Sequence, residues 1–319
     1  MPPRFFKKKM LNSKKRQFCF ELTQNMLIDT HAHLNFNAYK DDLDEVIKRS
    51  LDNNIWMINV GSQYETSKKA VKIAEQYEKG VYAAVGLHPI HLSDGIFKTK
   101  IDQEEIEFQT REEDFDYQKY KELAQSKKVA AIGEIGLDYW YKPKTKKKLE
   151  EFKQKQKEVF LQQLELAREL SLPVIFHCRT AHDDLLETLN FQCAKKSPLS
   201  SFASFRYRET QLSSFKFRGV IHCFTGNWQQ AERYLEMGLY LGFNGIIFKL
   251  DLDEIIKKTP LEKILIETDC PYLTPPPMEG RNEPLYVKYV AEKIAGIKRL
   301  SFERLADVAT RNARELFKI

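Results

Sequence analysis

The chain has 319 residues, 42% of them hydrophobic, which suffices for one large core and argues against a disordered polyelectrolyte. Its net charge of +6 is local: residues 1–25 hold seven Lys or Arg against one Glu, and the two signs balance over residues 26–319. No apolar run approaches a membrane span, and Glu21, Gln24 and Asn25 interrupt any secretion-signal core, so no membrane contact and a cytoplasmic location are expected.

Residues 1–25 read as a flexible basic arm and residues 26–319 as a single domain. Eight apolar runs predict strands: 26–33, 55–61, 81–88, 129–137, 173–179, 219–226, 240–247 and 263–270. Their near-continuous hydrophobicity suits strands buried on both faces. Amphipathic stretches lie between them, the clearest over 145–171, and the last one begins with half a capping box, Ser301 with Arg304 in place of an acid. Eight strands alternating with helices predict a parallel (β/α)8 TIM-type barrel. Two long connections break the rhythm. Residues 90–116 are acid-rich and are expected to project from the carboxyl ends of the strands as a lid or flank, whereas 194–218 belong at the opposite end.

Potential metal ligands end these runs: His31 and His33, Glu134, His177, His222 and Asp269. A parallel barrel gathers the carboxyl ends of its strands into one ring, so residues far apart in sequence converge there. His31 and His33 share a face by strand alternation, so one strand offers two imidazoles. This donor set suits zinc, and leaves manganese and magnesium open. The five cysteines, Cys19, Cys178, Cys193, Cys223 and Cys270, form no C-x-x-C pair. Cys178, Cys223 and Cys270 each follow a candidate ligand, so alternation turns their thiols away from the pocket toward the helices. By the same rule Glu267 lies one layer below Asp269, placed to orient a ligand. Lys142, Lys144, Lys146, Lys147 and Lys148 form a basic run at the ligand end, and Tyr139, Trp140 and Trp228 are candidate base-stacking platforms there.

The segments LIDTHAHLN (27–35), VGLHP (85–89), IGEIGLDY (132–139), LPVIFHCRTA (172–181), HCFTG (222–226) and ETDCPYL (267–273) resemble, in order, the signature segments of the TatD family. These are metal-dependent deoxyribonucleases among the amidohydrolase-like barrels, and the resemblance runs from about residue 26 to the C-terminus. It implies two divalent metal ions, one held by His31, His33 and Asp269, a second by His177 and His222, with Glu134 bridging. It also implies that His88 and Arg179 approach the substrate phosphate. Phosphodiester hydrolysis needs an activated water and stabilisation of the departing oxygen, which paired cations supply. Glu134, Asp269 and His88 are the expected catalytic residues.

The reading is a metal-dependent deoxyribonuclease, an exonuclease on single-stranded DNA ends, with a monomer favoured. A deacylase acting on aminoacyl-tRNA is the enzymatic alternative, because the same activated water attacks carbonyl carbon. A non-catalytic nucleic-acid-binding barrel is the third.

Overall fold

A computed structural model describes residues 26–93, 95–101, 104–110, 112–194 and 218–319. The basic arm over 1–25, and the 194–218 insertion apart from its two edges, lie outside the described residues. Ten strands are described: β1 (Leu27–Ala32), β2 (Ile55–Val60), β3 (Val81–Val85), β4 (Gly95–Ile101), β5 (Glu104–Thr110), β6 (Val129–Asp138), β7 (Val174–Arg179), β8 (Gly219–Ile221), β9 (Tyr240–Phe243) and β10 (Ile264–Ile266). The helices among the described residues are α1 (Leu43–Asp52), α2 (Tyr64–Glu75), α3 (Tyr117–Leu123), α4 (Lys146–Leu170), α5 (His182–Ala194), α6 (Trp228–Glu236), α7 (Asp253–Lys258), α8 (Val287–Lys298) and α9 (Phe302–Phe317).

Eight of the strands pair in parallel in the order β1-β2-β3-β6-β7-β8-β9-β10. The seam between the last and the first is closed beyond the strand ends. There His33 N–H donates to Cys270 O at 2.9 Å and Asp269 N–H to His31 O at 2.8 Å. Asp29 adds two bonds from β1, accepting from Thr268 N–H at 2.9 Å and from the Thr268 hydroxyl at 2.5 Å. The result is the nearly closed (β/α)8 barrel that the alternating pattern predicts, with every expected strand present at its position.

Residues 90–116 depart from the expected acid-rich loop. They carry β4 and β5, which pair with each other in an antiparallel ribbon separate from the barrel sheet. The ribbon's base is tied down: Glu113 N–H donates to His91 O at 2.8 Å, and the Glu113 carboxylate accepts from Tyr64 N–H and the Tyr120 hydroxyl.

Strand alternation divides the core in two. Ile28, Ile58, Ala84, Ile175, Val220 and Leu265 fill the barrel interior, where Leu316 and Phe317 of α9 join them. Residues of opposite parity, such as Leu27, Met57, Ala83 and Val174, belong to the larger cluster shared with the helices. Ser301 caps α9 by accepting from Arg304 N–H, the half capping box that the sequence offers.

Two glutamines on the buried face of α4 couple this helix to the site. Gln163 accepts from Leu87 N–H at 2.7 Å and donates to Leu87 O at 3.0 Å. Gln156 repeats the arrangement on Asp138, with both bonds at 2.9 Å. Residues seven apart lie on the same side of a helix, so one face of α4 grips the segment carrying His88 and the end of β6. Each side-chain amide offers the donor and acceptor of a peptide group, which satisfies backbone atoms where the strand ladder stops.

Candidate metal centre

β1 delivers two imidazoles because its pairing slips. A register irregularity between Asp29 and Ala32 resets the alternation, so Ile28 belongs to the barrel interior while His31 and His33 face the pocket above it. His33 Nδ1 lies 2.9 Å from Val60 O. A carbonyl only accepts, so the ring proton sits on Nδ1 and the Nε2 lone pair points at the pocket. Phe36 stacks on the other side of this ring, with centroids 4.5 Å apart.

The pocket is a cluster of nitrogen and carboxylate atoms. His31 Nε2 and His33 Nε2 are 3.1 Å apart. Glu134 Oε2 lies 3.4 Å from His31 Nε2, and Asp269 Oδ1 lies 3.4 Å from His33 Nε2. His222 stacks on His31 at 3.5 Å and brings its Nε2 to 3.7 Å from Glu134 Oε1 and 3.8 Å from Asp269 Oδ2. His177 Nδ1 is 2.5 Å from Glu134 Oε1. His31, His33 and Glu134 form one group with ligand atoms close enough to share an ion; His31, His222 and Asp269 form another, and His88, Glu134 and His177 a third. All six sequence-derived ligand candidates, and His88, therefore meet in one place.

These residues fit a divalent cation. Donor atoms around a tetrahedral ion at zinc-like bond lengths lie about 3.4 Å apart, which is the spacing here. His31 Nδ1 is buried without a hydrogen-bond partner, and three Nε2 atoms converge on two carboxylates. Burial alone would raise the Glu134 carboxyl, yet the imidazoles of His88, His177, His31 and His222 hold it well below its ordinary value. Burial likewise opposes ionisation of Asp269, and His222, His33 and His31 overcome it. Two buried carboxylates that stay anionic demand positive charge between them. Protonated imidazoles supply part of it: burial works against the charged form in both, but Glu134 and Asp138 push His177 up to about 9, and Glu267, Asp269 and Glu134 push His222 up to about 10.

The family model described as TatD related DNase matches residues 28–318. The chain belongs to the TatD-related DNase family of metal-dependent hydrolases. The uncharacterized metal-dependent hydrolase YabD of Bacillus subtilis is 40% identical, over 92% of this chain and all of its own length. The 3'-5' ssDNA/RNA exonuclease TatD of Salmonella typhimurium is 30% identical, over 92% of this chain and 99% of its own. Among solved structures, the TatD homolog YJJV of Escherichia coli superposes with a TM-score of 0.72 at 26% identity, covering 93% of this chain and 99% of that one.

Within this TatD-family centre, carboxylates behind the imidazoles fix their orientation. Glu267, fully buried, sets Oε1 2.8 Å from His222 Nδ1 and also accepts from Cys223 N–H at 2.7 Å. Asp138, to which sequence reasoning gives no role, lies 3.1 Å from His177 Nε2. The signal for it is the two-residue spacing of Glu134, Gly136 and Asp138 along β6. Gly136 is required between them, since a Cβ there would stand 2.0 Å from His177 O.

His88 differs from the other histidines. Its Nδ1 accepts from Ile90 N–H at 3.0 Å, which places the proton of the neutral ring on Nε2, 3.7 Å from Glu134 Oε1. Burial and the neighbouring His177 hold the ring well below its usual pKa, despite Glu134. His88 therefore presents a donor to the pocket and no lone pair. Arg179, two residues past His177, lies at the rim with its guanidinium 4.5 Å from the Trp140 ring.

Two of the three cysteine expectations hold: Cys178 and Cys270 are buried in the strand–helix core. Cys223 does not follow. β8 ends at Ile221, and Cys223 adopts a left-handed backbone, φ 45°, so alternation no longer applies. The residue is only partly buried, and its thiol donates to Asn244 Oδ1 at 3.6 Å, within the electrostatic influence of the pocket carboxylates. Burial, Asp269 and Glu267 all keep it protonated.

Proposed function

We propose that this protein is a metal-dependent exonuclease that removes nucleotides from the 3′ end of single-stranded nucleic acid, DNA above all, by phosphodiester hydrolysis at a two-cation centre. The observation that carries this reading is the convergence of His31, His33 and His222 nitrogens on the carboxylates of Glu134 and Asp269. The polarity and substrate follow the name of the Salmonella typhimurium relative.

In this reading His31, His33 and Asp269 would hold one cation, His177 and His222 a second, and Glu134 would lie between them. Bound divalent cations would acidify a water and neutralise charge on the phosphodiester. Asp269, whose side chain is 16% exposed, is the carboxylate most open to the pocket mouth and orients the attacking water. His88, neutral with its proton on Nε2, offers that N–H as a hydrogen bond to the oxygen on which negative charge develops. Arg179 offers a planar pair of donors to the non-bridging phosphate oxygens. Residues 26–319 act as one catalytic unit.

The test is hydrolysis of end-labelled oligonucleotides by protein stripped with a chelator and reloaded with zinc, manganese or magnesium, with element analysis of the same preparation. Stepwise shortening from the 3′ end, lost on stripping and restored on reloading with two ions per chain, is expected. Release of amino acid from aminoacyl-tRNA without nucleotide release would replace this reading with the deacylase.

A further inference from the structure

Three aromatic residues are candidate stacking platforms, and the structure separates them. Tyr139 is 5% exposed and spends its hydroxyl on Asp184 at 2.9 Å. Trp228 is half-buried beside Lys258. Trp140 is 56% exposed, an unusual position for the largest apolar side chain, since leaving it in water forfeits its burial free energy.

Its place is fixed relative to the chemistry. Trp140 N–H donates to Asp138 Oδ1 at 2.9 Å, and the other oxygen of the same carboxylate faces His177. The Arg179 guanidinium lies 4.5 Å from the Trp140 ring and 5.7 Å from that of Tyr141. Arg179 follows His177 by two residues on β7, so both side chains leave the same face, about 6–7 Å apart along the strand. Beyond Trp140 come Lys142, Lys144, Lys146, Lys147 and Lys148, all exposed; among the described residues the run makes one ion pair with a carboxylate, Lys147 with Glu151 at 3.9 Å.

We propose that Trp140 is the platform on which a nucleobase next to the scissile phosphate stacks, with Arg179 held against the same aromatic pair to take that phosphate. The inference rests on the nucleic-acid reading above and names the group that recognises the base. An exposed ring with a guanidinium over one face offers its other face to the π-face of any base without regard to sequence. A base inside a duplex has both faces covered by its neighbours, so the platform selects single strands. The lysines that follow line the path of the remaining phosphates.

The test compares an end-labelled single strand with one of equal length whose last two 3′ nucleotides are abasic. The natural protein is expected to prefer the base-bearing strand in KM. Trp140→Ala is expected to shrink that preference roughly tenfold, and Trp140→Phe to restore most of it. In chelator, the base-bearing strand is expected to quench the tryptophan fluorescence of the natural protein, and Trp140→Phe to lose the quenching although Trp56 and Trp228 remain. A preference unchanged in Trp140→Ala, or quenching retained in Trp140→Phe, overturns the platform. Failure of the natural protein to shorten either strand overturns the nuclease reading instead, and the quenching titration then decides the platform alone.

Discussion

Gln156 hydrogen-bonds both backbone groups of Asp138, the residue whose carboxylate faces His177. A helix outside the barrel thus fixes the height at which a strand presents its acid to the centre. Gln156→Leu keeps the side chain's approximate size and strands a buried N–H and a buried C=O. Each costs about 1–3 kcal/mol, so the urea midpoint is expected to fall by an amount worth at least about 2 kcal/mol. Gln156→Glu, which keeps an acceptor for Asp138 N–H, should lose less. Equal stability of Gln156→Leu and the natural protein contradicts the clamp.

His88 is expected to act on substrate and not on metal, because its pocket-facing nitrogen carries the proton. His88→Ala should retain its full complement of ions by element analysis and lose about 10²-fold or more in kcat. His31→Ala should lose the cation that His31, His33 and Asp269 would hold, and activity with it. A metal-depleted His88→Ala would move this residue into the ligand set.

Glu267→Gln tests the carboxylate behind His222. The amide still fills the space under Gly242, where a Cβ would come within 2.6 Å of Glu267 Oε2, but it no longer holds the His222 ring with a charge. Metal affinity is expected to fall about 10–100-fold, measured by competition with a chromophoric chelator. Unchanged affinity would reduce Glu267 to a packing residue.

Acid sensitivity has a second source, away from the centre. Arg281 forms two bonds to Asp42, at 2.8 and 2.6 Å, and Arg49 forms two to Glu283, joining α1 to the segment that follows Asp269. The bond from Arg281, helped by the charges of Arg281 and Arg49 and opposed by burial, lowers the Asp42 pKa below its ordinary 3.8. A depressed carboxyl stabilises the fold above its unfolded value and loses that contribution as pH falls through the folded one. Asp42→Asn should therefore be less stable than the natural protein at neutral pH, by about 1 kcal/mol or less for so exposed a pair. The difference should vanish well below 3.8. A gap that persists in acid would assign the loss to packing.

The barrel strands were legible because strands covered on both faces must be apolar along their whole length, and that leaves a mark such as LPVIFHC in the chain itself. The candidate ligands were legible for a related reason: His177 and Asp269 break an apolar run at the point where it reaches the pocket. What stayed hidden depends on pairing. The slip in β1 that aims His31 and His33 is a property of β1 against β2, and no local pattern in LIDTHAH announces it. Cys223 was placed by extending strand alternation past Ile221, where the strand has already ended. β4 and β5 read as a charged loop because GIFKTKI and EEIEFQT have few large apolar side chains, and the sequence between them, Asp102-Gln103, is not one that tight hairpins favour. Asp138 was passed over because its carboxylate matters through His177, a neighbour that only the β6–β7 pairing supplies.

The centre draws on residues from position 31 to position 269, contributed by β1, β6, β7 and the segments after β8 and β10. Synthesis runs from the N-terminus, so His31 and His33 leave the ribosome long before the acids and imidazoles that complete their surroundings. A cation meeting the nascent chain before β6 emerges finds only the imidazoles of His31 and His33 among these donors. The full donor set therefore exists only once the segment after β10 has been made, and a product cut short before Asp269 lacks one of the two carboxylates on which the imidazoles converge.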